Sequence, residues 1–123
     1  MKQTKWQNIE GRVNLAGVQY HQYNCVVGNP VGKVVKLVGE IGNRYDEMAV
    51  RVEYAGVKLG YLPRGSIHQS EAWKAHANGY KLVGVITYFS KKCPTWCAIT
   101  VQLMRTEKKQ KKVIIPTEID FTK

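Results

Sequence analysis

Hydrophobic positions along this chain recur mostly at every second residue, the period of a strand with one buried face. Residues 13–17 (Val-Asn-Leu-Ala-Gly) alternate and predict a first strand. Residues 32–40 form a β-branched run long enough to bend around a barrel, with Gly39 expected to relieve the bend. Met48, Val50, Val52 and Tyr54 then share one face, and Ala49, Arg51 and Glu53 the other. Ala55-Gly56 turns the chain, its glycine supplying the positive φ of a tight loop, and Val57, Leu59 and Tyr61 resume the alternation. After a break at Leu62-Pro63-Arg64-Gly65, Ser66 with Gln69 has the form of a capping box. Residues 66–78 therefore predict the one sizeable helix, stopped at Gly79. Residues 80–89 and 97–104 read as two more strands, with Ile99, Val101 and Leu103 opposite Thr100 and Gln102 in the second. About six strands with one helical insertion predict a mostly β chain folded as a small barrel.

Composition narrows the class of partner. At 123 residues the chain is one domain, large enough to hold a core without disulfides or metal. A formal net charge of +10 points to an anionic partner, such as nucleic acid or a membrane surface. The part through Met104 carries +7 of it and residues 105–123 the other +3. The expected division is an N-terminal extension at 1–12, a barrel at 13–104 and a basic tail at 105–123. That tail, with Lys108, Lys109, Lys111 and Lys112, is either a solvated arm or carries one further edge strand at Val113-Ile114-Ile115. Three cysteines, an odd number, argue against a disulfide framework and for a reducing, cytoplasmic compartment. The polar N-terminus has no secretory pattern, and no apolar run approaches the roughly 20 residues that span a bilayer. Cys93 and Cys97 lack the second ligand pair of a structural zinc site, so no metal and no cofactor is expected.

The informative block runs from residue 32 to residue 64. Asn43-Arg44-Tyr45-Asp46 falls in the connection between two strands, where binding groups usually sit. The same residues also suit a plain structural turn, with Asn and Asp bonding to local backbone. Downstream stands Gly60-Tyr61-Leu62-Pro63-Arg64, leading into the helix. Together with Gly17, Tyr20 and Glu40, these elements stand in the order and spacing of a known pattern. It has an early glycine followed by an aromatic, a strand ending in Glu, an Asn-x-Tyr-Asp-x-x-Ala motif and a Gly-Tyr-Leu-Pro-like element. In this the chain resembles the HIRAN domain, a module found beside fork-remodelling helicase-like ATPases and in short stand-alone proteins.

The resemblance implies an OB-like barrel that binds single-stranded DNA and recognises a free 3′-hydroxyl end, in repair or replication-fork processing. A helicase or another repair protein is an implied partner; oligomeric state is left open. On this reading Asp46 accepts a hydrogen bond from the terminal hydroxyl, and Tyr20, Tyr45 and Tyr88 stack on bases. Arg64 holds a phosphate, and Lys91 and Lys92 add less specific charge. Asn43 bonds to backbone or base edge, or shapes the loop; Tyr61 lines the pocket or belongs to the core. Gln19 stands where relatives often carry a basic residue, removing one phosphate contact. His21 either stacks beside Tyr20 or is an ordinary surface histidine. Trp6, Trp73 and Trp96 carry no motif and are expected to pack. No phosphate loop, His-Glu-x-x-His or paired-metal acidic cluster is present, so the expectation is a binding module and not an enzyme. The alternatives are a barrel whose basic surface meets an acidic protein, and a general single-stranded nucleic-acid binder that takes RNA.

Overall fold

The computed structural model describes residues 6–21, 23–106 and 118–121. Among the described residues are seven antiparallel strands and one α-helix: β1 (Trp6–Asn14), β2 (Val34–Glu40), β3 (Val50–Tyr54), β4 (Val57–Tyr61), α1 (Ile67–Ala77), β5 (Leu82–Phe89), β6 (Ile99–Thr106) and β7 (Glu118–Asp120). The strands lie in the order β1-β6-β5-β2-β3-β4, with β7 added to β2. The fold is mostly β and OB-like. The ladder is not a continuous closed barrel; its two ends meet where Ala16 and Tyr61 exchange backbone hydrogen bonds of 2.7 and 2.9 Å. Gly60 permits that approach, since a Cβ there would lie 2.6 Å from the Ala16 carbonyl oxygen.

The alternation predicted for β3, β4 and β6 is what fills the interior. Val50, Val52, Leu59, Ile99, Val101 and Leu103 are fully buried, joined by Leu37, Leu82 and Ile86 from β2 and β5. The β3–β4 turn has positive φ at both Ala55 (50°) and Gly56 (81°), the twist-matched form for a two-residue hairpin.

Three expectations change. The first strand begins at Trp6 and ends at Asn14, where the alternation pointed to residues 13–17. Its register with β6 shifts between Ile9 and Val13, Glu10 has φ 51°, and Gly11 offers no side chain, so a period of two is invisible there. Second, β7 was not predicted. Phe121 beside it is buried; its N–H donates to Leu37 and its carbonyl accepts from Leu82, joining β2 to β5 where those strands part. The edge strand expected at 113–115 and the lysine cluster at 108–112 lie outside the described residues.

Third, Gly39 does not relieve a bend. A Cβ on it would lie 2.5 Å from the Trp73 ring and 2.9 Å from the Phe121 ring, so the missing side chain seats the helix on the sheet. Trp73 meets Phe121 edge-on at 5.2 Å between centroids, and His76 packs on the same Phe121 ring at 4.9 Å. Burial depresses the His76 pKa below the ordinary histidine value of 6.5. Below that value the unfolded chain binds more protons than the folded one, so stability falls as pH drops. The urea midpoint should decline between about pH 7 and about pH 5, and His76→Gln should flatten the decline. His21, also lowered by burial and then by Lys58, contributes in the same direction. No helix among the described residues is long and apolar enough to cross a membrane.

Candidate nucleic-acid interface

The loop at 41–49, between β2 and β3, is shaped from within by its own polar residues. Asn43 Oδ1 accepts from the Tyr45 and Asp46 N–H groups at 2.8 and 3.0 Å, and Asp46 Oδ1 accepts from the Met48 N–H at 3.0 Å. These are the local backbone bonds expected of Asn and Asp in a turn. Asn43 Nδ2 donates to Glu40 Oε1 at 2.9 Å, so this residue shapes the loop.

The helix holds the loop from outside. Ser66 Oγ accepts from the Gln69 N–H at 3.1 Å, half of the predicted capping box. The other half is redirected: Gln69 Oε1 accepts from the Gly65 N–H at 3.0 Å, and Gln69 Nε2 donates to Asp46 Oδ2 at 2.8 Å. Four residues on, Trp73 Nε1 donates to the Met48 carbonyl at 2.7 Å from the same helix face. Gln69 is buried, 4% exposed. Gln69→Leu should cost about 1–2 kcal/mol of stability, the range for a lost bond to a charged group offset by some apolar burial. Denaturant unfolding checks the cost, and hydrogen exchange at the Tyr45 and Asp46 amides should speed up with it.

Tyr61 joins this loop to the chain after β1. Its hydroxyl donates to Glu40 Oε1 at 2.9 Å and accepts from Lys58 Nζ at 2.6 Å. Glu40 Oε2 also takes Arg51 Nη1 at 2.8 Å, and Arg51 pairs in turn with Glu53. Burial pushes Glu40 upward, but bonds from Asn43, Tyr61 and Arg51 and the Lys58 charge outweigh it, holding the carboxyl below its usual range. On its other side Tyr61 meets the His21 ring, 5.6 Å between centroids. A Cβ built on Gly17 (φ 68°) would lie 4.0 Å from both the Tyr20 and Tyr61 rings, so the two rings flank that glycine. A contiguous run therefore links Tyr20, Tyr61, Glu40, Asn43, Tyr45, Asp46 and Gln69.

Two aromatic faces along this run are open: Tyr20 and Tyr45 are each 79% exposed. The Arg44 guanidinium lies 5.9 Å from the Tyr45 ring centroid. Arg64 is exposed in the turn before α1, without an ion-pair partner among the described residues. Gln19 is exposed beside Tyr20. Asp46 keeps two free lone-pair positions, since its two bonds take one on each oxygen.

The remaining predicted residues form a second cluster, Tyr88 near the end of β5 and Lys91 and Lys92 on the loop that joins it to β6. Tyr88, 45% exposed, has its hydroxyl 3.0 Å from Cys93 Sγ. Lys91 Nζ donates to the carbonyls of Asn24 and Val26 at 2.9 and 2.7 Å, which ties two loops together. Lys92 is exposed. Trp96 corrects an expectation: it does not pack, but stands 72% exposed on the 3-10 turn Thr95–Cys97. That turn lies against the one carrying Tyr20, Val18–Tyr20. Sequence reading missed Trp96 because nothing local distinguishes an exposed tryptophan from a packed one. It missed Gln69 because the capping-box pattern accounted for that residue by itself. Among the described residues no three His, Cys, Asp or Glu side chains converge to hold a metal.

The sequence profile of the HIRAN domain matches residues 10–104. No curated protein matches the chain. Among solved structures, a protein from Lactobacillus plantarum superposes with a TM-score of 0.66 at 23% identity, covering 86% of this chain and all (100%) of that one. The HIRAN domain of human HLTF superposes with a TM-score of 0.52 at 22% identity, covering 77% of this chain and 72% of that one. With most of its length matched by the profile and the fold shared with a HIRAN domain, this chain belongs to the HIRAN domain family, a family of nucleic-acid-binding modules.

Proposed function

We propose that this module binds single-stranded DNA and selects strands by their free 3′-hydroxyl end, serving repair or replication-fork processing, with a helicase or another repair protein as a partner. One observation carries the reading. A carboxylate, Asp46, is held by a buried amide next to an open tyrosine face, in a chain of high positive charge. The terminal base stacks on Tyr45, and further bases on Tyr20 and Tyr88. Asp46 accepts the hydrogen bond of the 3′-hydroxyl, whereas a terminal phosphate brings negative charge against negative charge. Arg64 takes a backbone phosphate, and Arg44, beside Tyr45, supplies charge that Gln19 does not. Tyr61, through Glu40, sets the pocket wall and not the contact.

A linear single-stranded oligonucleotide and the same sequence closed into a circle separate end binding from general strand binding. The linear form should bind more tightly than the circle, which keeps only the general attraction of charge for phosphate; equal affinity would contradict end selection. Tyr45→Ala should weaken the linear strand by roughly 5- to 150-fold, the range for loss of one base–aromatic stack. Fluorescence anisotropy measures both. Binding of an acidic protein with no oligonucleotide affinity would instead favour the interaction-barrel reading.

A further inference from the structure

The loop between β5 and β6 holds two cysteines that strand binding does not use. We propose that Cys93 and Cys97 form a peroxide-responsive thiol pair, in which Cys93 is oxidised first and Cys97 closes a disulfide onto it.

Both cysteines are free and half-exposed, four residues apart in Cys93-Pro94-Thr95-Trp96-Cys97. The loop is pinned at its base by the Ser90 N–H bond to the Ala98 carbonyl at 2.9 Å. Inside it the Cys97 N–H donates to the Pro94 carbonyl at 3.0 Å, and Cys97 Sγ donates to the same carbonyl at 3.5 Å. This folds the second thiol back toward the first. The Tyr88 hydroxyl lies 3.0 Å from Cys93 Sγ, placed to donate to a thiolate there. Tyr88 first, then Ser90 and Cys97, hydrogen-bond the Cys93 sulfur and outweigh burial, so its thiol sits below the usual value. The Tyr88 phenol is pushed up by the same bond, so the proton leaves the thiol before the phenol. A lowered, accessible thiol with a second thiol beside it is the arrangement of a reactive and a resolving cysteine.

The chemistry balances with hydrogen peroxide as oxidant. The Cys93 thiolate attacks one peroxide oxygen, the O–O bond breaks, and Cys93 sulfenic acid and hydroxide result. The Cys97 sulfur then attacks the Cys93 sulfur; the S–S bond forms, the S–O bond breaks, and hydroxide leaves. Two protons from the thiols convert both hydroxides to water, and two electrons pass from the sulfurs to peroxide. Cys25 supplies an internal control. It is more exposed than either partner, but no described residue hydrogen-bonds its sulfur. Exposure alone therefore favours Cys25, and the hydrogen-bonded environment favours Cys93.

The test uses the full reduced chain and no nucleic acid, so it stands apart from the strand-binding reading. Peroxide should lower the intact mass by about 2 Da, two hydrogens, and peptide mapping should place the bond between Cys93 and Cys97, with Cys25 still open to alkylation. In Cys97→Ser the oxidation should stop at Cys93 sulfenic acid, captured by dimedone. Tyr88→Phe should slow the oxidation by up to about tenfold through a smaller thiolate fraction. The wild-type chain, needing no variant to fold, gives a second readout, in which limiting iodoacetamide should label Cys93 before Cys25. Cys25 reacting as fast as Cys93, or a disulfide that includes Cys25, would overturn the proposal.

Discussion

Asp46→Ala should leave a protein that still binds single strands but no longer tells a 3′-hydroxyl from a 3′-phosphate. In the proposed complex of the unaltered chain the hydroxyl donates to a carboxylate, and a hydrogen bond to a charged group contributes about 1.5–3 kcal/mol. That corresponds to a preference of roughly 10- to 150-fold, before any repulsion between carboxylate and phosphate is added. Alanine removes the acceptor and the repulsion together, so the two affinities should converge. Part of the loss is structural: Gln69 Nε2 and the Met48 N–H both bond Asp46, and both lose their acceptor. Gln69→Leu separates the two effects. It loosens the same loop while keeping the carboxylate, so it should weaken both ligands and retain the preference between them. Paired titrations of the two oligonucleotides against each variant make the comparison.

The largest expected effect on stability comes from a single methyl group. Gly39→Ala would place Cβ 2.5 and 2.7 Å from two Trp73 ring carbons and 2.9 Å from a Phe121 ring carbon, inside contact distance for all three. Trp73 has nowhere to retreat, being held by its bond to the Met48 carbonyl and by Phe121 at its edge. Overpacking of this kind costs about 1–3 kcal/mol, and in a domain of this size each kcal/mol lowers the melting temperature by about 4 °C. A fall of roughly 4–12 °C is expected. Gly42→Ala, a few residues away in the supported loop, meets nothing within 4 Å and should leave the melting temperature unchanged. Because Trp73 also holds Met48, Gly39→Ala should loosen the Tyr45–Asp46 loop as well, linking stability to binding.

Much of the architecture was legible because burial acts locally on a strand. Val50, Val52, Ile99, Val101 and Leu103 are inside, as their spacing predicts, and the Ser66 cap and Gly79 stop bound the helix. What escaped the sequence was decided by contacts between distant segments. Gly39 reads as a strand weakener until Trp73 is placed over it. The capping box at Ser66 and Gln69 hides that Gln69 reaches across 23 positions to Asp46. Residues 6–12 do not look like a strand, because a bulge and a glycine erase the alternation that pairing with β6 still enforces. At the candidate site, the Asn-x-Tyr-Asp motif has two readings, turn and binding group, and the geometry leaves them compatible. Asn43 and one lone pair on Asp46 Oδ1 build the turn, one on Oδ2 ties it to Gln69, and the remaining lone pairs and the Tyr45 face stay open. Glu40 was legible as a motif position, not as the anchor of Tyr61, Asn43 and Arg51.

The net charge of +10 draws any single strand toward the domain, so affinity alone says little about selection. In the proposed function, end selection rests on Asp46. The most direct measurement is the titration of the unaltered protein with one short oligonucleotide carrying either a 3′-hydroxyl or a 3′-phosphate, at one fixed salt concentration. The hydroxyl form should bind at least about tenfold more tightly; equal affinity for the two would contradict the account.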